Sequence, residues 1–187
     1  MSEHMVCPWW IGFLLASPLR RWLQGDPGNL LAPYVRPGML VLEPGPGMGF
    51  FTLEIARLVG AKGRVIAVDI QPKMLAALRR RANNAGFGER IGTRLAAPES
   101  LGVADLAGCV DFVLAFAMVH EMPSAARFFA ETAAAAKNGA TMLLAEPSGH
   151  VKEAAFEGEL AEAAKAGFAL VERISIRRSR AAMLRRS

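Results

Sequence analysis

Cysteine is scarce in this 187-residue chain: Cys7 and Cys109 stand alone. Two thiols exclude a disulfide framework and a four-cysteine zinc site. Long apolar runs are missing as well. The longest, residues 6–16, falls short of the ~18 residues that a membrane span requires, so no span is expected. Histidine is limited to His4, His120 and His150, without compact ligand spacing, and no metal is expected. An export leader is not expected either. The first residues carry Glu3 and no Lys or Arg, and no small-x-small cleavage site follows the apolar stretch. A cytoplasmic chain is therefore the default expectation.

What is present is an ordinary globular composition, 52% hydrophobic and 21% charged, with length for one domain. The net charge of +5 is uneven. Arg173, Arg177, Arg178, Arg180, Arg185 and Arg186 face only Glu172 within residues 171–187, so that tail equals the whole net charge. A nucleic-acid-binding face usually draws on several elements. A solvated edge strand is therefore expected here, with no nucleic-acid partner. The alternative is a nucleic-acid-associated protein that uses the arginine-rich end.

Residues 1–34 read as an appendage holding all three tryptophans, Trp9, Trp10 and Trp22, with a turn at Asp26-Pro27-Gly28-Asn29. From residue 38 short apolar runs alternate with helical stripes. Strands are expected at Met39–Glu43, Arg64–Asp69, Ile91–Leu95, Val110–Phe116 and Ala140–Glu146. Between them Phe51, Ile55, Leu58 and Val59 mark one helix, and Met74, Leu78, Ala82 and Ala85 a second, with Arg79, Arg80 and Arg81 on its other side. A helix capped by Ser124 runs to Lys137 and stops at Asn138-Gly139. Another spans Val151–Ala166, with Phe156, Leu160 and Ala163 on one line. Cys109, at the start of a buried strand, reads as a small core residue. Apolar strands alternating with amphipathic helices make an α/β protein, a parallel sheet covered on both faces. The final strands, Phe168–Arg177 and Ser179–Arg186, are joined too tightly for a crossover, so the last runs antiparallel.

The most informative stretch is Glu43-Pro44-Gly45-Pro46-Gly47-Met48-Gly49, between the first strand and first helix. Glycines there allow a tight turn and close approach of a ligand. In a doubly wound sheet, ligands bind at the carboxyl ends of the strands. The dinucleotide fingerprint G-x-G-x-x-G would need its third glycine where Phe50 stands, and the Lys-Ser/Thr of a P-loop is missing. Glu43 at the loop's start would repel a pyrophosphate. The loop thus suits a ligand with a cationic group and no phosphate. Asp69, ending the second strand, can accept from both hydroxyls of a ribose.

The Glu43–Gly49 loop together with Asp69 resembles motifs I and II of class I S-adenosylmethionine-dependent methyltransferases, in particular the small quinone-biosynthesis-type (ubiquinone/menaquinone) domain. Phe116-Ala117-Met118-Val119-His120-Glu121 is similar to the family's segment after strand four, and Ala145-Glu146-Pro147 to that after strand five. The resemblance covers residues 36–187. It implies a Rossmann-like doubly wound seven-stranded sheet of order 3-2-1-4-5-7-6 with strand 7 antiparallel. It also implies S-adenosylmethionine as cofactor, with Gly45, Pro46, Gly47 and Gly49 against its methionine part and Glu43 near its amino group. Asp69 would bind the ribose and Ile70 would flank the adenine, and Ala97, Pro98 and Phe116 would also belong to the cofactor site. Where the family often has an acid after strand three this chain has Ala97, so the backbone or Glu99 would meet the adenine.

Methyl transfer is an in-line displacement that needs a positioned acceptor and, for some acceptors, a base. His120 and His150 follow strands four and five, and Glu121 and Glu146 sit beside them, so His120, Glu146 and His150 are the candidate catalytic residues. Their structural alternatives are a loop-orienting histidine and a residue at a helix start. No large insertion supplies an acceptor pocket. A single domain is expected, with residues 1–35 a helical lid and 36–187 the Rossmann-like body. The aromatic lid favours a small apolar or planar methyl acceptor. A non-catalytic, cofactor-binding regulator is the remaining alternative.

Overall fold

The computed structural model describes residues 26–187. Residues 1–25, with Cys7, the three tryptophans and most of the expected lid, lie outside the described residues. The seven strands follow the order β3-β2-β1-β4-β5-β7-β6, as expected, and the described residues fall into two compact units, 26–96 and 97–187.

In residues 26–96 the Asp-Pro-Gly-Asn stretch is a helix start. The Asp26 carboxylate accepts from the Gly28 N–H at 2.7 Å, and Pro27 opens α1 (Pro27–Leu31), where its missing N–H costs nothing. α1 packs on α2 (Thr52–Leu58) and buries Leu31 completely. β1 (Leu40–Pro44), β2 (Arg64–Asp69) and β3 (Ile91–Leu95) form parallel pairs, with Glu43 beside Ala67 and Asp69 beside Leu95. Val41, Leu42, Val65 and Ala67 are fully buried, as strands covered on both faces require. α3 (Pro72–Asn84) buries Met74, Leu75, Ala77, Leu78 and Ala82. Arg81 departs from the expected solvated face of that helix, because its guanidinium donates to the Met48 carbonyl of the glycine loop.

In residues 97–187 β4 (Val110–Phe116) pairs in parallel with β5 (Ala136–Pro147), and β7 (Ser179–Arg186) lies antiparallel between β5 and β6 (Phe168–Ile176). α4 (Ala125–Ala135) starts at Ser124, whose hydroxyl accepts from the Arg127 N–H at 3.2 Å. The helix ends two residues earlier than its alanine run suggests. Ala136 is already paired with Val110, and Cys109 N–H donates to Ala135 O at 3.0 Å, so strand pairing claims the residues that propensity left helical. Cys109 itself is exposed, correcting its assignment to the core; its thiol turns back to Ala107 O at 3.3 Å. α5 (Glu153–Lys165) buries Phe156 fully, and Phe128 and Phe129 of α4 are likewise inside. Each such burial is worth roughly 1.5–3 kcal/mol.

Half of the tail's arginines are engaged within the fold. Arg173 reaches Glu157 at 2.5 Å, Arg180 reaches Glu153 at 2.8 Å, and Arg186 donates to Ala133 O and Gly167 O. Among the described residues no helix is long and apolar enough to cross a membrane.

Candidate active site

The glycine loop after β1 has the geometry its sequence requires. Gly45, Gly47 and Gly49 hold φ of 68°, 55° and 86°, in the left-handed region that a side chain resists. Gly45 N–H donates to Val68 O of β2 at 2.8 Å, and Gly49 N–H to Pro46 O at 3.0 Å, which closes the turn. The last two glycines differ in their surroundings. A Cβ on Gly47 would stand in open space with no atom within 4 Å, whereas one on Gly49 would meet Leu78 Cδ1 of α3 at 2.4 Å. Gly47 therefore faces open space, and Gly49 lets loop and helix close on each other. Met48 between them is buried with Met74 and Ala77, and its carbonyl receives Arg81. Burial lowers the pKa of that guanidinium, which stays charged. At the foot of the loop Glu43 is buried, only 3% exposed.

At the end of β2, Asp69 Oδ1 accepts from the Gln71 N–H at 2.8 Å. That bond turns the chain into α3, whose N-cap is Gln71. Ile70, the expected adenine neighbour, is 38% exposed, and Leu95 at the end of β3 is 62% exposed. Two large apolar side chains left open beside Asp69 form a surface for a flat apolar group. Leu95 was not singled out from the sequence, because exposure cannot be read from an apolar residue at a strand end. The glycines, Glu43, Asp69 and Ile70 thus sit together at the carboxyl ends of β1 and β2, a setting that fits a ligand with ammonium, ribose and adenine parts.

Ala97, Pro98 and Glu99 are exposed in a tight turn in which Ala97 and Ser100 exchange two backbone bonds at 3.1 Å. Pro98 and Glu99 line a small cavity with Leu101, Met122 and Phe128. Phe116, at the end of β4, is buried at 7%. Ala117 follows it with φ 56°, a left-handed conformation for a residue with a Cβ, and its N–H donates to Ala145 O at 2.7 Å. Such strain gathers where a chain is held for function.

Beyond Ala117 the structure brings the three candidate catalytic residues together. Glu146 is fully buried; its Oε1 accepts from Val119 N–H at 2.8 Å, and its Oε2 takes His120 Nδ1. The His150 ring stacks near that of His120, centroids 6.4 Å apart and planes 20° off parallel. Hydrogen bonding to Glu146 raises the His120 pKa, with smaller contributions from the charges of Glu146, Glu121 and Glu159. Nδ1–H is the donor to the carboxylate, which leaves Nε2 on the side of Glu121, 4.0 Å from its Oε1. Sequence reading missed Glu159 of α5. This carboxyl is 8% exposed, its Oε2 has no hydrogen-bond partner, and burial next to Glu146 pushes its pKa up to about 7. The available signal was its place on the buried stripe with Phe156 and Ala163, where a charge is out of pattern.

Comparison with known proteins follows that geometry. A family model described as a methyltransferase domain matches residues 42–144. Among curated proteins, protein-L-isoaspartate O-methyltransferase 1 of Arabidopsis thaliana is 42% identical over 48 residues, 26% of this chain and 21% of that protein. The chain thus matches about a fifth of that relative's length. Among solved structures, an S-adenosylmethionine-dependent methyltransferase from Aquifex aeolicus superposes with a TM-score of 0.85 at 20% identity, covering 97% of this chain and all of that one. The methyltransferase solved with the Trm112 activator of Haloferax volcanii gives 0.75 at 14% identity, covering 93% and 92%. TrmN of Thermus thermophilus gives 0.67 at 24%, covering 86% and 48%. At these identities the superpositions establish the fold.

Proposed function

The chain belongs to the methyltransferase-domain family, and from that premise we propose that it transfers a methyl group from S-adenosylmethionine to a small apolar or planar acceptor in the cytoplasm. The observation that carries this reading is the loop after β1. Three glycines at positive φ, open space at Gly47 and the buried Glu43 at its foot suit an ammonium-bearing ligand and oppose a pyrophosphate.

When bound, S-adenosylmethionine supplies an electrophilic methyl on a sulfonium. Gly45, Pro46, Gly47 and Gly49 let its methionine part lie against backbone, and Glu43 attracts its amino group. Asp69 accepts from the ribose hydroxyls. Ile70 and Leu95 offer apolar surface to the adenine, and Ala97, Pro98 and Phe116 complete the proposed cofactor site. Glu146 holds His120 by Nδ1, so Nε2 can take a proton from the acceptor. His150, stacked on that ring, restricts its orientation. The quinone-biosynthesis resemblance and the aromatic character of residues 5–35 support a planar acceptor, over which that segment would close. Its described end, α1, is anchored on α2.

Calorimetry with the full chain tests the reading. S-adenosylmethionine and its demethylated product should bind, and NAD should not. Asp69→Ala should cost roughly 1.5–3 kcal/mol of cofactor affinity, the worth of charged hydrogen bonds, which is tenfold or more in Kd. Tight NAD binding with neither sulfonium nor thioether bound would overturn the proposal. Tryptophan fluorescence followed in the same titration reads the lid, because all three tryptophans lie in that segment. A flat signal at saturating cofactor would remove its closure from the account.

A further inference from the structure

The turn between β6 and β7 reaches the candidate catalytic residues, although its side chains have no part in methyl transfer as described above. Ile176 and Ser179 pair across it, so Arg177 and Arg178 make the turn itself. Arg178 holds φ 60°, a left-handed conformation that glycine adopts freely and a residue with a Cβ resists. Solvation alone does not call for a long side chain at such a position. The turn is also fixed in place. Ser148 N–H donates to Arg178 O at 3.0 Å, and Ser179 of β7 pairs with Pro147 of β5. His150 N–H donates to Pro147 O at 3.0 Å. One short backbone network thus ties Arg178 to His150, whose ring centroid lies 6.4 Å from that of His120.

Charge at this end of residues 97–187 is unbalanced. Arg177, Arg178 and Lys152, which follows His150 by two residues, are exposed. Among the described residues none of their side chains has a hydrogen bond or an ion pair. Glu153, the acid next to Lys152, is held by Arg173 at 3.6 Å and by Arg180 at 2.8 Å. Glu146 is committed to Val119 N–H and to His120, and Glu121 lies 4.0 Å from His120 Nε2. Arg185, by contrast, pairs with Thr141 at the opposite end of β5.

We propose that the Arg177-Arg178 turn sets acceptor specificity by holding a carboxylate on a planar acceptor, whose reacting group then lies against His120. The acceptor class is thus an aromatic acid. A guanidinium meets a carboxylate through two parallel N–H donors, so it fixes direction as well as charge. With the carboxylate held at the turn, the ring lies across His150 and its far edge is aimed at Nε2 of His120. Lys152 adds a third positive charge beside the same path. This assignment deepens the methyl-transfer reading and rests on it, but the oxyanion site itself can be measured without cofactor.

The test is an NMR titration of the nitrogen-labelled full chain with benzoate, followed at the signals of Arg177, Arg178 and His150. Benzoate should move them in a saturable way. Benzamide, the same ring without the charge, should bind about tenfold more weakly, the worth of a charged hydrogen bond. Acetate, the charge without the ring, should also bind more weakly than benzoate. Arg178→Gly relieves the turn, so it should keep or raise the denaturation midpoint and still weaken benzoate binding by roughly three- to tenfold. A purely structural turn would not show that opposition. Arg185→Gln removes the same charge at the far end of the sheet and should leave benzoate binding unchanged. The proposal fails if benzoate leaves the turn unmoved, or if benzamide or acetate matches it. It fails equally if an RNA oligomer moves the turn and benzoate does not. Calorimetry with S-adenosylmethionine separates the two readings. Saturable benzoate binding without cofactor binding would remove methyl transfer and leave the oxyanion site, and the converse would remove the oxyanion site alone.

Discussion

Gly47 and Gly49, two residues apart in one loop, differ in what surrounds them. Gly47 and Gly49 share a positive φ, so alanine at either place carries a backbone penalty of roughly 1–2 kcal/mol. Their Cβ positions separate the consequences. At Gly49 the methyl would meet Leu78 Cδ1 at 2.4 Å, and Leu78 is fully buried. Overpacking there adds about 1–3 kcal/mol. At Gly47 the methyl enters open space that the proposed cofactor would fill. Gly49→Ala should therefore lower the denaturation midpoint more, while Gly47→Ala should weaken S-adenosylmethionine binding with the smaller loss of stability. Denaturant titrations beside calorimetry check the pair, and equal losses of stability would contradict the assigned division of labour.

Among the elements, α3 does more than cover the sheet. Its Leu78 meets Gly49, its Met74 and Ala77 enclose Met48, and its Arg81 holds the Met48 carbonyl. The helix is a backing plate for the glycine loop. Arg81→Met keeps the apolar stem and deletes the donor. It should weaken cofactor binding by up to about tenfold, the low end for a lost charged hydrogen bond, with the helix intact by circular dichroism. Unaltered affinity would show that packing alone holds the loop. Elsewhere strand pairing decides the boundaries: Ala136 belongs to β5 because Val110 pairs with it, although its alanine neighbours favour helix.

Over the whole molecule, charge is divided unevenly between the two units. Residues 26–96 hold ten Lys and Arg against five Asp and Glu, and residues 97–187 hold ten against eleven. The second half's acidity includes the buried pair Glu146 and Glu159. Burial raises Glu159, so between 4.5 and about 7 the folded chain keeps a proton that the unfolded chain releases. Stability from this group is complete below 4.5 and falls as pH rises through about 7. His120, raised by its bond to Glu146, acts with the same sign: its contribution is complete below 6.5 and is lost above that. Denaturation midpoints should therefore decline from pH 5 to 7.5 more steeply in the wild type than in Glu159→Gln. Parallel declines would mean that Glu159 is ionised throughout in the folded chain.

The sequence by itself determined the strands and their order of appearance, the antiparallel end and the glycine loop after β1. These rest on local causes: apolar runs of strand length, glycines where the chain must turn left-handed, and a connection after Ile176 too short for a crossover. It also picked out His120 and His150, which follow strands four and five, and Glu146 at the end of strand five. Tertiary structure alone decided what depends on distant neighbours. Arg81 turns inward because Met48, 33 residues away in sequence, offers a carbonyl. Cys109 faces solvent because the chain enters β4 at the surface. Leu95 is left open, and Glu159 is enclosed, its carboxyl raised by burial and by the charge of Glu146. Burial and charge coupling fall off with distance in space, and residue spacing along a chain fixes that distance only within a single element.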